Sequence, residues 1–541
     1  MTNYDYDGLS FQVLAERHGP FALGIDHERW GRTDPFGFGS INDGGGIMVH
    51  ALILLALVAT PPAGEETPQG WFRAGGATLE QLKTQQPVTG KAKNVILFIG
   101  DGMGVSTVTA ARILEGQQRG RSGEENFLSF ERLPYTALIK TYSTDLQTPD
   151  SAGTMSAIVT GVKTNSGVLS VNQRVALGDA AAFAGNQVTT ILELAERAGL
   201  STGVVTTTRI THATPAACYA HSPHRDWEDD SSLPPAAKEA GIADLARQLI
   251  EFDVGDGLEV ALGGGRANFL PEGATDPEYS DRTGRRLDGR DLTAEWLKRP
   301  KSAYVWNRAQ FDALDPAKTG RLLGLFQPSH VQYEHDRPKD PAGEPSLSEM
   351  TGKAIDLLSH NPKGYFLMVE GGRIDHAHHE TNAFRALTDT IELAAAVEVA
   401  MKKSDRKDTL LIVTADHSHV FTMAGYPPRG NPILGKVTTR DEQASHHTKL
   451  DADKTGKPFT TLGYANGPGP VRAETDLSKA DTEHPDYRQE VTVPLESETH
   501  GGEDVPLYAD GPQAHLFRGV LEQNVIFHVM TEALGLQAAS P

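Results

Sequence analysis

From Lys93 onward the chain alternates short, unbroken apolar runs with segments of helical period. Residues 95–99 (VILFI), 365–369 (YFLMV) and 410–413 (LLIV) carry no polar position, and 203–206 (GVVT) is a shorter run of the same kind. Strands apolar on both faces are expected where helices cover a parallel sheet from above and below. Between them, 188–198 (VTTILELAERA), 347–359 (LSEMTGKAIDLLS) and 383–402 read as amphipathic helices, the first stopped by Gly199. Alternation of this type predicts βαβ units. The fold class expected is α/β, a three-layer sandwich with a mostly parallel central sheet flanked by helices. Residues 426–499 break the pattern. They are rich in Gly, Pro, Thr, Asp and Lys without sustained period, and read as a crown-like insertion before the chain returns at His500.

The residues directly after each apolar run turn the reading from architecture to chemistry. The run at 95–99 leads into Gly100-Asp101-Gly102, and 365–369 into Glu370, then Asp375 and His379. The run at 410–413 leads into Asp416-His417-Ser418-His419, and 203–206 leads to His212 and Thr214. Asp150-Ser151-Ala152-Gly153 and Thr499-His500-Gly501-Gly502 complete the set with less distinct preceding strands. Sites in open α/β sheets form beyond the carboxyl ends of the strands. Metal-type ligands recurring there point to a polynuclear metal centre.

Individually these residues say little. A serine at a helix start, as Ser151 is before 155–162, is usually a plain N-cap, although backbone N–H groups there also favour an anion. Asp375 and His379 are four apart, which on a helix puts both on one face. Carboxylate with imidazole suits zinc, and oxygen-only sets suit magnesium. It is the recurrence after strand ends that outweighs the structural reading of each residue taken alone.

A length of 541 residues allows a large core, and 38% hydrophobic with 22% charged residues is ordinary for a globular chain. The net charge of −21 argues against nucleic acid as a specific partner, because phosphate backbones require basic patches. A single cysteine, Cys218, excludes an intrachain disulfide and reads as a small buried residue. No stretch is long enough to span a bilayer. The run 51–59 (ALILLALVA) after Met48 suits a signal-peptide core, so 48–63 is expected to be a leader and 1–47 an upstream extension or a mis-assigned start. A catalytic domain is expected over 64–536, and the protein is expected to be exported to the periplasm or beyond the cell.

Gly100-Asp101-Gly102-Met103-Gly104, Pro149-Asp150-Ser151-Ala152-Gly153, Val369-Glu370-Gly371-Gly372-Arg373-Ile374-Asp375-His376 and Thr414-Ala415-Asp416-His417-Ser418-His419 together resemble the alkaline phosphatase family, and its animal-type members more than the enterobacterial type. The resemblance runs from about Glu65 to about Leu536. It implies metal-dependent hydrolysis of phosphate monoesters through a phosphoserine intermediate, with Ser151 the nucleophile and Arg225 the phosphate clamp. It also implies two zinc ions and one magnesium ion. Asp375, His379 and His500 match the ligands of one zinc, and Asp101, Asp416 and His417 those of the other. Asp101, Thr214 and Glu370 match the magnesium ligands. Asp150, His212, His376 and His419 match supporting positions around them. A fourth, calcium-type site is implied at Glu278, the Phe326 carbonyl, Gln327 and Glu344, where Gln327 stands in place of an acid and removes one negative charge. A homodimer is expected from the same resemblance. A sulfatase, phosphodiesterase or phosphomutase of the wider fold, and an inactive metal-binding protein, are the competing readings. Retention of Arg225, Ser151 and every ligand set favours the monoesterase.

Overall fold

The computed structural model describes residues 66–439 and 449–537. The extension and leader expected at 1–63 lie outside the described residues. Ten strands form one sheet: β1 (Asn94–Ile99), β2 (Tyr135–Lys140), β3 (Ser201–Arg209), β4 (Val260–Gly264), β5 (Ser302–Val305), β6 (Arg321–Leu325), β7 (Tyr365–Glu370), β8 (Thr409–Thr414), β9 (Val505–Asp510) and β10 (Gly519–Glu522). Their spatial order is β10-β2-β9-β8-β1-β7-β3-β4-β6-β5. Neighbours run parallel, except that β9 is antiparallel to both β2 and β8. Helices flank this mostly parallel sheet, as the apolar runs predict. The all-apolar strands are its centre. Val95, Ile96, Leu97, Phe98 and Ile99 of β1 are all fully buried between β8 and β7. Each such side chain contributes about 1.5–3 kcal/mol when removed from water. That is enough to anchor a costly polar residue placed just beyond the strand.

The helices form where periodicity and caps agree. Ser346 caps Leu347–Leu358 and exchanges reciprocal bonds with Glu349, which sets the start one residue after a polar hydroxyl. The helix expected from residue 188 instead spans Ile191–Ala198. Thr190 and Glu193 bond each other's backbone N–H groups, and this capping box fixes the start three residues later than the apolar period alone indicates. Its end is at Gly199, whose φ of +76° favours glycine. Ala383–Lys403 is the longest of these helices and packs on Leu347–Leu358. Among the described residues no helix is long and apolar enough to cross a membrane.

Residues after the centre of the chain add a second, small sheet. Phe421–Met423 and Val491–Pro494 flank Leu462–Gly467, and Thr438–Thr439 pairs with Lys449–Leu450. The two-residue strand His500–Gly501 pairs with Ser418–His419. That pairing brings the return of the chain against the segment that follows β8.

At the amino edge of β3 and β4, opposite the ligand-bearing edge, two carboxyl groups are buried together. Glu259 Oε2 accepts from Thr202 N (2.7 Å), Glu196 Oε1 accepts from Thr202 Oγ1 (2.5 Å), and Glu196 Oε2 has no hydrogen-bond partner. Burial pushes Glu196 up to about 7, and burial with the neighbouring Glu196 pushes Glu259 up to about 8. Both retain protons in the folded chain that the unfolded chain releases near pH 4.5. Folding stability therefore falls as pH rises through this window, and the loss is complete above about pH 8. Glu259→Gln is expected to raise the unfolding temperature at pH 9 by roughly 4 °C or more, and to leave it near wild type at pH 5. Thermal melts at the two pH values check this, and an equal shift at both would contradict it.

Candidate metal centre

Four neighbouring strands, β8-β1-β7-β3, deliver the acidic residues to one edge. Ile99 pairs with both Glu370 and Thr414, and Thr206 pairs with Glu370, so the strands end in register. Asp101, Glu370 and Asp416 lie at or within two residues of these strand ends and are fully buried. The turn after β1 needs Gly102. Its φ is +68°, and a Cβ there would collide with Nε2 of His419.

Asp375 and His379 share one face of the Arg373–His379 helix, as their spacing predicts. Asp375 Oδ1 lies 2.9 Å from His419 Nε2, 3.3 Å from His379 Nε2 and 3.4 Å from His500 Nε2. His379 Nδ1 faces the carbonyl of Glu498 (2.6 Å), and His500 Nδ1 faces the carbonyl of Pro149 (2.7 Å). A carbonyl only accepts, so each Nδ1 carries a proton and each Nε2 faces inward. The two Nε2 atoms are 3.1 Å apart. Burial lowers His379, but Asp375 and the Glu498 carbonyl outweigh it and raise the imidazole to about 9, so these atoms hold a positive charge among them, a proton or a metal ion. The donor set therefore fits a metal on chemical grounds.

Around Asp101 the crowding is of carboxylates. Asp101 Oδ1 lies 3.2 Å from His417 Nε2, and Asp416 Oδ2 lies 3.4 Å from the same nitrogen. Thr214 Oγ1 is 3.5 Å from Asp101 Oδ2. Glu370 Oε2 accepts from Thr208 Oγ1 (3.2 Å) and, by a short bond, from Thr206 Oγ1. Its Oε1 is buried without a partner. Burial, then the charge of Asp101, push Glu370 well above and Asp416 above the usual carboxylate range. Burial lowers His417, but Asp416 and Asp101 outweigh it and raise the imidazole to about 10. All three shifts express negative charge in excess of its compensation, and the orphaned Glu370 oxygen gives a cation a place to bind.

Ser151 opens the Ser151–Thr160 helix, and its Oγ lies 3.1 Å from His417 Nε2 and 3.4 Å from Asp101 Oδ1. Asp150 is the N-cap. It accepts from Ala152 N (3.3 Å), Gly153 N (3.1 Å), Gly167 N (3.0 Å) and Arg225 Nη1 (3.0 Å). Burial raises the Asp150 carboxyl, yet Arg225 and these amides outweigh it and hold it below its ordinary range. Arg225 Nη2 lies 3.3 Å from His212 Nε2. His376 Nδ1 accepts from Arg373 Nη1 (2.9 Å), and its ring packs on His330 at 4.2 Å. A pocket of about 330 Å³ opens beside His379, with His330, Arg373, His376 and Arg488 in its walls.

Among the described residues, three groups have ligand atoms within 4.8 Å of one another: Asp375, His379, His419 and His500; Asp101, Asp375 and His417; and Asp101, His212 and Glu370. His419, expected in a supporting position, lies inside the first group. It also bonds Glu498 Oε2 through Nδ1 (2.5 Å). Sequence reasoning misses Glu498, although an acid two residues before His500 is a signal. Thr206 and Thr208, which steady Glu370, give no signal, since threonine inside a strand is unremarkable. The residues of the calcium-type set lie elsewhere and are not among these groups. Glu278 Oε1 accepts from Ala342 N (3.3 Å) and Oε2 from the fully buried Arg266 (3.0 Å). Gln327 Oε1 accepts from Tyr279 Oη (3.2 Å), and Glu344 Oε1 accepts from Gln332 N (2.8 Å).

A serine at a helix start, an arginine braced by the helix cap and a buried nest of carboxylates and imidazoles suit phosphoryl transfer at a metal centre. The comparisons agree. The family model "Alkaline phosphatase" matches residues 92–536. The tissue-nonspecific isozyme of alkaline phosphatase from Gallus gallus is 47% identical over 497 residues, 90% of this chain and 93% of the relative. The Homo sapiens isozyme is 47% identical over 483 residues, 87% and 89% of the two chains. Among solved structures, the alkaline phosphatase of Thermus thermophilus aligns with a TM-score of 0.60 at 27% identity, covering 86% of this chain and 96% of that one. This chain belongs to the alkaline phosphatase family. It is a metal-dependent phosphoric monoester hydrolase that works through a phosphoserine intermediate.

Proposed function

We propose that Ser151 is the serine that takes up the phosphoryl group and that Arg225 orients it. We assign Asp375, His379 and His500 to one zinc ion and Asp101, Asp416 and His417 to a second. Asp101, Thr214 and Glu370 are assigned to magnesium. The observation that carries this reading is the position of Ser151 Oγ, at a helix N-terminus and within 3.4 Å of both Asp101 Oδ1 and His417 Nε2. When bound, two such cations neutralise charge on the attacking and leaving oxygens of an in-line displacement.

The chain's own residues set the geometry of that displacement. Asp150 holds Nη1 of Arg225 and His212 Nε2 lies 3.3 Å from Nη2, so the guanidinium is braced on two sides while its remaining N–H groups can receive phosphate oxygens. Burial leaves His212 and His376 neutral, with Arg225 and His330 adding to the effect respectively, so neither adds charge near the phosphate. Ser151 Oγ gives up its proton as it attacks phosphorus, and the O–P bond forms as the opposite P–O bond breaks, the departing oxygen taking up a proton to leave as the alcohol. The alcohol departs on the side away from Ser151. A water oxygen entering from that vacated side then forms a new bond to phosphorus. The Ser151 O–P bond breaks, inorganic phosphate leaves and Oγ regains its proton. Positioning and charge do most of the work in such a transfer.

Ser151→Ala is expected to lower turnover of p-nitrophenyl phosphate by more than about 10³-fold while retaining bound metal. Acid trapping of labelled phosphate on Ser151 of the wild type, followed by peptide mapping, checks the assignment; label on another residue would refute it. Arg225→Lys keeps the charge but loses the fork. It is expected to raise the inhibition constant of inorganic phosphate by about tenfold, equivalent to one charge-assisted hydrogen bond, with an unchanged melting temperature. An unaltered inhibition constant would remove Arg225 from the phosphate site.

A further inference from the structure

The calcium-type set contains a substitution and, beside it, an acid that the resemblance does not include. Gln327 cannot supply the charge of the acid it stands in for. Its Nε2 donates to Oδ1 of Asp340 at 2.6 Å, so a carboxylate lies one hydrogen bond from the amide. Tyr279 Oη bonds the same Asp340 oxygen at 3.4 Å and Gln327 Oε1 at 3.2 Å, tying the two side chains together. Asp340 follows the single turn Arg337–Lys339, in the loop that leads to Glu344 and the Leu347–Leu358 helix. The other oxygen of Asp340, Oδ2, is buried without a hydrogen-bond partner. So is Oε2 of Glu344, a residue 2% exposed. The side chain of Glu278 is also buried, at 1% exposure.

Gln327 also bonds the Glu344 side chain, and the charge of Asp340 acts on both Glu278 and Glu344, so the three carboxyl groups are neighbours around one amide. The nearby buried cation, Arg266, pairs with Asp276 through two bonds of 2.7 Å and reaches Glu278 alone of the three. A buried carboxyl group with an unpartnered oxygen either keeps its proton, as burial favours at Glu344, or gives that oxygen to a cation. Calcium takes six to eight oxygen ligands in flexible geometry, and carboxylate, carbonyl and amide oxygens all serve.

We infer that Asp340 supplies the anionic oxygen that Gln327 lacks, so that this chain holds a calcium ion through Glu278, Asp340, Glu344, the Phe326 carbonyl and the Gln327 side-chain oxygen. The acid has moved from the strand-end position 327 to the neighbouring loop. This inference rests on the calcium-type site implied by the family resemblance, and the test separates the two.

Full-length protein saturated with zinc and magnesium is titrated with calcium chloride by calorimetry, and its melting temperature is followed in parallel. Asp340→Asn is expected to weaken calcium binding by about tenfold or more, and to abolish the rise in melting temperature that calcium gives the wild type. The double variant Asp340→Asn/Gln327→Glu, with the acid returned to position 327, is expected to restore both, which separates a lost ligand from misfolding. Calcium binding unchanged in Asp340→Asn but abolished in Glu344→Gln would overturn the role of Asp340 and leave the site. No calcium binding by the wild type, or binding indifferent to Glu344→Gln, would overturn the site itself.

Discussion

Burial of negative charge at one sheet edge is the constraint on which the rest of the structure depends. Asp101, Glu370 and Asp416 are fully buried and Asp375 nearly so, all at or beyond the ends of adjacent central strands. Removing several carboxylates from water costs several kcal/mol each, and the Coulombic repulsion among them adds to that cost. The strands beneath are apolar at nearly every position and exclude water. They both raise the cost of the site and supply the burial that offsets it. Bound cations would relieve the repulsion directly, and the imidazoles of His379, His417 and His500 face the same space.

Supporting contacts follow the same logic. Several side chains of the centre are held by a second group: the Pro149 and Glu498 carbonyls hold His500 and His379, the Glu498 side chain holds His419, and Thr206 with Thr208 hold Glu370. The small strand pair His500–Gly501 with Ser418–His419 closes the arrangement, joining a late segment to the end of β8. Asp150 serves twice, capping the helix that carries Ser151 and bracing Arg225. A substitution that loosens one of these supports therefore disturbs the site without touching a ligand.

Much of this is legible in the chain. The buried strands announce themselves by composition, and ligand-type residues directly after them predict where the site lies. The i, i+4 spacing of Asp375 and His379 predicts their shared face. Less legible are features set by tertiary contact. The Ile191–Ala198 helix starts where a capping box, not the apolar period, dictates. Glu498 lies in a segment without period, and its role depends on pairing between His500–Gly501 and Ser418–His419, two residues long and invisible to pattern. Asp340 is a loop acid like many others until folding sets it against Gln327. Sequence reads the elements that bury apolar surface well, and reads poorly the polar partners that folding selects.

Metal content measured against activity tests the central claim most directly. The protein is stripped with a chelator, dialysed and reloaded with increasing zinc at saturating magnesium, while bound zinc per chain is counted by elemental analysis. The account requires negligible phosphatase activity without zinc, and a return of activity that completes as about two zinc ions per chain are bound. Full turnover by protein carrying no zinc or other transition metal would contradict it.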